Sequence, residues 1–313
     1  MEFILSCSSC IVRQVAQVTS LLQIEKSKAQ GLLRQILTQL SEADYTKCTP
    51  ELIGETWDLL EKTIGFRDVY QKLKLQYDRA VLSQKDKILS IINSQPDDEA
   101  KFSKALFFAI YGNLIDLAAA DYFDEEAFWN NADKTSLVPF SIDDRSRLFE
   151  KLKTSQSVLY IGDNSGEIAL DKLFIQTMKT LFPKITFTYA VRGYAVLNDV
   201  TLIDAEAVNM QEAAEVISNG SKAAGTVLAT VSGEFLERFN KADVIIAKGQ
   251  GNFESLHPCS SPNLFYLLMA KCPAIASIFN VKPMTLICKQ NESYKLITFR
   301  CQISVLSKTR NVT

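Results

Sequence analysis

The stretch that most constrains this chain is Val158-Leu-Tyr-Ile-Gly-Asp-Asn-Ser-Gly-Glu167, an unbroken apolar run that ends in a turn of glycine, carboxylate and amide. Such a run, closed by Gly162, reads as a strand covered on both faces, the habit of a parallel sheet. In open α/β sheets ligands bind outside the carboxyl ends of the strands, where loop backbone and helix N-termini converge. The polar cluster at 162–167 stands at that end, so a candidate active site is expected there.

The pattern repeats downstream. From Ser157 onward strands and helices alternate, the signature of a parallel α/β sheet. Strands are predicted at 158–162, 185–191, within 207–217 and at 244–247, with helices over about 167–181 and 233–241. Each strand runs into a polar loop: Gly162-Asp-Asn-Ser-Gly166, Arg192-Gly-Tyr194, Ser218-Asn-Gly-Ser-Lys222 and Lys248-Gly-Gln-Gly-Asn252. Right-handed crossovers put those ends on one edge, so loops distant in sequence can share a cleft.

The first half is helical by pattern. Ile11, Val15, Val18 and Leu22 fall at helical spacing, as do Ala29, Leu32, Leu33, Ile36, Leu37 and Leu40. Further helices are expected at 50–64 and 67–93, and Pro96-Asp-Asp-Glu99 supplies the proline and acids that begin another, over about 99–120. On that last helix Asn113 and Asp116 share a face of an otherwise apolar rod. A buried Asp needs a partner, so this face either meets the polar site or closes a core network. Trp129-Asn-Asn131 and Val138-Pro-Phe140 break the periodicity, and Ser141-Ile-Asp-Asp144 resembles an N-cap. The chain is thus expected to divide into a helical domain (1–125), a connector (126–156), an α/β domain (157–290) and an extension without a motif (291–313).

Composition narrows the class. At 313 residues and 47% hydrophobic, the chain can bury a sizeable core. Lys plus Arg (34) nearly balance Asp plus Glu (36), so no overall field draws it to nucleic acid or a membrane surface, and phosphate binding must be local. The apolar Phe3-Ile-Leu5 lacks a positive stretch and meets Cys and Ser at once, unlike a cleaved signal peptide; the run from Ala105 to Ala120 is short for a bilayer and carries Asn113 and Asp116. A soluble cytoplasmic protein is expected. Seven scattered cysteines do not make a secreted disulfide framework. Cys7 and Cys10 stand one helical turn apart with no second pair or His cluster to complete a zinc site, so packing is the simpler reading.

The strand-end loops offer one kind of chemistry. Asp163 and Asn164, with Asn198-Asp199, supply hard oxygen donors suited to Mg²⁺ or Mn²⁺ rather than zinc, and the single histidine, His257, cannot build a zinc site. Arg192, Lys248 and Lys271 can neutralise a phosphate, and Gly220, Gly225, Gly249 and Gly251 let backbone N–H groups approach its oxygens. Metal, cations and glycine loops together point to phosphoryl chemistry.

Gly162-Asp-Asn-Ser-Gly-Glu167, Arg192-Gly with Asn198-Asp199, Ser218-Asn-Gly-Ser-Lys-Ala-Ala-Gly225, Lys248-Gly-Gln-Gly-Asn-Phe-Glu254 and Ala270-Lys-Cys-Pro273 occur in the order seen in the metal-dependent damage-control phosphatases, formerly domain of unknown function eighty-nine. The chain resembles that family from about 5 to 290. Cys7-Ser-Ser-Cys10 with Arg13-Gln14, and Gly112-Asn113 with Ile115-Asp116, resemble its prokaryotic-type branch. The resemblance implies a three-layer α/β/α sandwich with a mostly parallel sheet behind an all-α domain, hydrolysing small phosphorylated metabolites with Mg²⁺, Mn²⁺, Co²⁺ or Ni²⁺. It implies metal ligands at Asp163, Asn164 and Asp199, and substrate contacts at Lys248, Gly249, Gln250, Gly251 and Asn252. Lys271 would be the basic residue of the last site loop, Asn113 and Asp116 would line the cleft, and Glu167 and Asp204 match family carboxylates.

The catalytic set would then be Asp163, Lys248 and Lys271, with Asp163 either nucleophile or ligand for an activated water. Two other readings compete. One is an S-adenosylmethionine-dependent methyltransferase, whose first nucleotide loop has a similar rhythm, although an acid at 163 would repel the cofactor carboxylate. The other is a non-enzymatic binding protein with a vestigial cleft.

Overall fold

The computed structural model describes residues 1–65, 68–112 and 140–291. Among them seven strands occur in chain order: β1 (Phe140–Asp143), β2 (Ser157–Ile161), β3 (Thr186–Val191), β4 (Glu215–Ser218), β5 (Val244–Lys248), β6 (Leu264–Ala270) and β7 (Thr285–Gln290). They form one sheet in the order β1-β7-β6-β5-β2-β3-β4, parallel at every pairing except β6 with β7. From β2 the order runs out through β3 to β4 on one side and through β5 to β6 on the other. The crevice between β2 and β5 is therefore a topological switch point.

Strand side chains alternate between two cores, as the period of a pleated strand demands. Tyr160, Tyr189, Ile246 and Leu267 face one core, covered by α6 (Asp98–Tyr111), α7 (Arg145–Lys153) and α8 (Glu167–Leu181). Leu159, Ile161, Ile245 and Leu268 face the other, covered by α10 (Gly233–Lys241), α11 (Gly249–Leu256) and α12 (Pro273–Ile278). This is an α/β fold of three layers. The short α9 (Leu202–Ala207) follows the loop after β3.

The N-terminal helices are α1 (Cys7–Leu21), α2 (Lys26–Ser41), α3 (Thr49–Ile64), α4 (Gln71–Ser83) and α5 (Lys85–Asn93). Glu51 closes a capping box at the start of α3, and Gly65 ends that helix in the left-handed conformation. A third core joins α1, α2 and α3 to Tyr70 and to Val196 and Ala224 from the loops after β3 and β4. Asp97 caps α6 by accepting from the Ala100 N–H at 2.8 Å, as its acidic start predicts. The α6 side chains Phe102, Leu106, Phe108 and Ile110 are fully buried in the sheet's core with Phe174. Each contributes roughly 1.5–3 kcal/mol by burial, and the same core takes in Val81, Ile88 and Ile92 of α4 and α5, so α6 joins the sheet to the front helices.

Several expectations change. The region predicted as one helix over 67–93 breaks into α4 and α5, and part of the expected connector supplies β1 and α7. Three strands, β1, β6 and β7, lie beyond the four predicted, and the third strand is only its last part, Glu215–Ser218. Residues 248–252, read as a loop, pass directly from β5 into α11. Asn113, Asp116 and residues 292–313 of the extension lie outside the described residues.

Candidate functional site

Four parallel strands deliver polar residues to one edge. The loop after β2 brings Asp163 and Asn164, and the loop after β3 folds back beside it. Val200 N–H donates to the Asp163 carbonyl at 2.8 Å, Ser165 N–H donates to the Asn198 carbonyl at 2.9 Å, and Asn164 and Asp199 form a single antiparallel bridge. Asp163, Asn164 and Asp199 are thus held as neighbours by backbone bonds, although 35 residues separate Asn164 from Asp199.

One guanidinium joins the two carboxylates. Arg192 donates from Nε to Asp199 Oδ2 at 2.5 Å, from Nη2 to Asp163 Oδ1 at 3.4 Å and from Nη1 to Asn252 Oδ1 at 3.0 Å. The Asn164 amide donates to Asp163 Oδ2 at 2.9 Å. Asn252 is saturated: it donates to the Gly162 and Lys248 carbonyls and accepts from Arg192 and from Thr226 Oγ1. Arg192 and Asn252 are fully buried, so they knit three strand-end loops together instead of presenting polar atoms to a substrate as expected.

Lys248 also takes a different place. Its ammonium donates to the Ala109 carbonyl at 2.8 Å, to Asp171 Oδ1 at 2.7 Å and to Glu167 Oε1 at 3.4 Å, with both carboxylates and the lysine fully buried. Three donors meet three acceptors, which removes Lys248 from the expected phosphate contacts. Tyr160 and Tyr189 hydroxyls complete the Asp171 carboxylate at 2.6 and 3.0 Å. Burial favours the neutral amine, but Asp171 and Glu167 outweigh it and hold Lys248 above the usual lysine range.

Gly249 and Gly251 serve close approach. Gly249 has φ +75°, and a Cβ there would overlap the Asp163 carboxylate. Gly251 packs its backbone against that of Ala224 and Gly225. Gly249→Ala should lose about 1–2 kcal/mol from the left-handed backbone alone, and should also displace Asp163. Urea unfolding and activity together check this: intact activity would show that the carboxylate does not depend on the missing Cβ.

Gln250 Oε1 accepts from the Lys271 N–H at 2.8 Å and so ties the start of α11 to the end of β6. Lys271 is half-buried, and its charge pulls the Asp163 carboxyl down. Burial, then Glu167 and Asp199, act more strongly and push Asp163 well above the usual carboxylate range. Among six buried groups here, four carboxyl groups (Asp163, Glu167, Asp171 and Asp199) face two cations (Arg192 and Lys248), an excess of acidic oxygen donors over cations. Hard oxygen donors with that excess fit a divalent cation. Among the described residues no group of three or more His, Cys, Asp or Glu side chains is placed to hold a metal, so the candidate donor set is two carboxylates and one amide oxygen.

Other residues emerge only in three dimensions. On α4, Lys74 and Asp78 are buried, and burial pushes the Asp78 carboxyl up to about 7. Their signal in the sequence was two charges, Lys74 and Asp78, at helical spacing on the same face as Val81. Asp171 carried a similar signal within α8. The Cys7 thiol is pushed up to about 11, first by burial and then by Glu254, so it stays protonated and offers no thiolate at neutral pH.

Comparison with known proteins finds relatives over most of the chain. Residues 4–287 match the family described as the damage-control phosphatase ARMT1-like domain. A damage-control phosphatase of Pyrococcus horikoshii is 31% identical over 287 residues, covering 91% of this chain and 97% of the relative. A damage-control phosphatase of Archaeoglobus fulgidus is 26% identical over 286 residues, covering 90% of this chain and 97% of the relative. The crystal structure of a DUF89 family protein from Pyrococcus horikoshii superposes with a TM-score of 0.84 at 30% identity, covering 93% of this chain and all of that one.

Proposed function

Because the chain belongs to the damage-control phosphatase ARMT1-like domain family, we propose that it is a metal-dependent phosphatase acting on small phosphorylated metabolites. Relatives named damage-control phosphatases support the phosphatase activity. The observation that carries the metal dependence is the bridge between Asn164 and Asp199 beside Asp163, with both carboxylates on one buried guanidinium. Asp163, Asn164 and Asp199 would hold Mg²⁺, Mn²⁺ or a similar hard cation. When bound, such an ion supplies Lewis-acid polarisation of a phosphate oxygen.

The chain's own groups do the rest. Arg192 keeps the two carboxylates in register, and Asn252 fixes the guanidinium. Lys271, at the rim, offsets negative charge on the phosphate oxygens. Lys248 holds Glu167 and Asp171 beneath the site, and Glu167 in turn accepts from the Asn164 N–H at 3.3 Å. A balanced overall charge and the absence, among the described residues, of any helix long and apolar enough to cross a membrane accord with a cytoplasmic enzyme on a diffusible substrate. Nucleic acid and membrane are not proposed as partners. Membership in a phosphatase family also removes the ground for the methyltransferase reading.

A screen of phosphometabolites with Mg²⁺, Mn²⁺, Co²⁺ or Ni²⁺ tests the proposal. Release of inorganic phosphate that stops with a chelator and returns with added metal is expected. Release indifferent to the chelator, or none with any metal across sugar phosphates and phosphorylated cofactor fragments, would refute it.

A further inference from the structure

Two buried charges on α4 have no part in the chemistry above. Lys74 and Asp78 stand four residues apart, on one face of the helix, and are at most 1% exposed. Burying an unpaired charge is costly, so their partners show what the helix is for. Asp78 accepts from Ser165 Oγ at 2.8 Å and from the Gly166 N–H at 2.5 Å, the two residues that follow Asn164. Lys74 pairs with Asp204 at 2.6 Å and with Asp68 at 2.9 Å. Asp204 in turn accepts from the Thr201 N–H and hydroxyl at 2.7 and 2.8 Å, two residues beyond Asp199. One turn of one helix therefore grips both loops that carry the candidate cation donors.

We infer that Lys74 and Asp78 are positioning residues through which α4 sets the spacing between the Asp163–Asn164 loop and the Asp199 loop, and hence the affinity for the cation. The inference rests on the metal-binding reading proposed above. A helix that merely docked would need only apolar contact, as α4 already makes through Val81. Instead it uses buried ionic groups: the bonds of Asp78 end on Ser165 and Gly166 beside the donors, and Lys74 holds Asp204, which in turn holds Thr201. Partners in the outer shell of a metal site commonly change affinity by 10–100-fold when removed.

The test compares wild type with Asp78→Ala, Asp78→Asn, Ser165→Ala and Lys74→Met by Mn²⁺ titration, and by amide hydrogen exchange on the metal-free proteins. Asp78→Ala should weaken Mn²⁺ binding about 10–100-fold and speed exchange in 163–167, and Asp78→Asn, which keeps an acceptor for Gly166, should restore most of both. Lys74→Met should speed exchange over 199–204. Ser165→Ala removes one bond without stranding a charge, so it provides a folded variant if Asp78→Ala unfolds. Wild-type Mn²⁺ affinity in folded Asp78→Ala or Ser165→Ala would overturn the inference. Should wild type bind no Mn²⁺, the metal reading itself fails, and unchanged exchange in the metal-free variants would separately refute the grip on the loops.

Discussion

Asp163→Ala is expected to lose phosphatase activity by about a thousandfold or more, roughly 4 kcal/mol of transition-state stabilisation, while the protein stays folded. The carboxylate is one of two on Arg192, and it lies over Gly249 where β5 meets α11. Its removal takes a candidate donor from the site and leaves Asp199 with the guanidinium. Stability should move the other way. Burial first, then Glu167 and Asp199, pushes the Asp163 carboxyl upward, so at neutral pH folding works against this acid and alanine removes that cost. A melting temperature equal to or above wild type, with phosphate release lost, is the predicted pair of results. Turnover unchanged in the presence of metal would end the assignment.

Lys248→Met should have the largest effect on folding. The ammonium is the cation on both Glu167 and Asp171, and all three groups are wholly buried. Removing one partner of a buried ionic cluster leaves uncompensated charge and typically costs about 3–5 kcal/mol. Lys271→Met, at a half-buried position beside the site, should leave stability nearly unchanged and lower kcat/KM instead. Urea denaturation and steady-state kinetics on the two variants separate a structural lysine from a functional one. A loss below about 1 kcal/mol in Lys248→Met would show that the buried network is not what holds that edge of the sheet.

That contrast also marks how far the sequence was legible. The strand-to-polar-loop rhythm after residue 157 revealed the parallel sheet, and the cluster at 162–167 could be placed at the carboxyl end of a strand because an apolar run gives way there to glycine, Asp and Asn. The strand Leu264–Ala270 was less readable: seven successive buried residues carry no alternation and suit a buried helix as well. Phe140–Asp143 was obscured by Pro139 and by an Asp-Asp pair that reads as a helix start.

Within the site, sequence named Asp163, Asn164, Arg192, Asp199, Lys248 and Asn252 as one cleft, and the fold brings them together. It could not say which would face a ligand. A lysine next to glycines looks like a phosphate contact until Glu167 and Asp171, one turn apart on α8, are seen to claim its protons. Asn252, expected as a substrate contact in a segment read as a loop, lies buried within α11. Lys74 and Asp78 were missed because their partners lie far away in sequence, and spacing within a helix reports only which face a charge occupies.

In the proposed site, donors from two strand ends hold one hard cation. Calorimetric titration of Mn²⁺ into the metal-free protein, wild type against Asp199→Ala, tests it most directly. One ion per chain in wild type, and no comparable binding in folded Asp199→Ala, is the predicted result. Undiminished binding in the variant, or none in wild type, would contradict it.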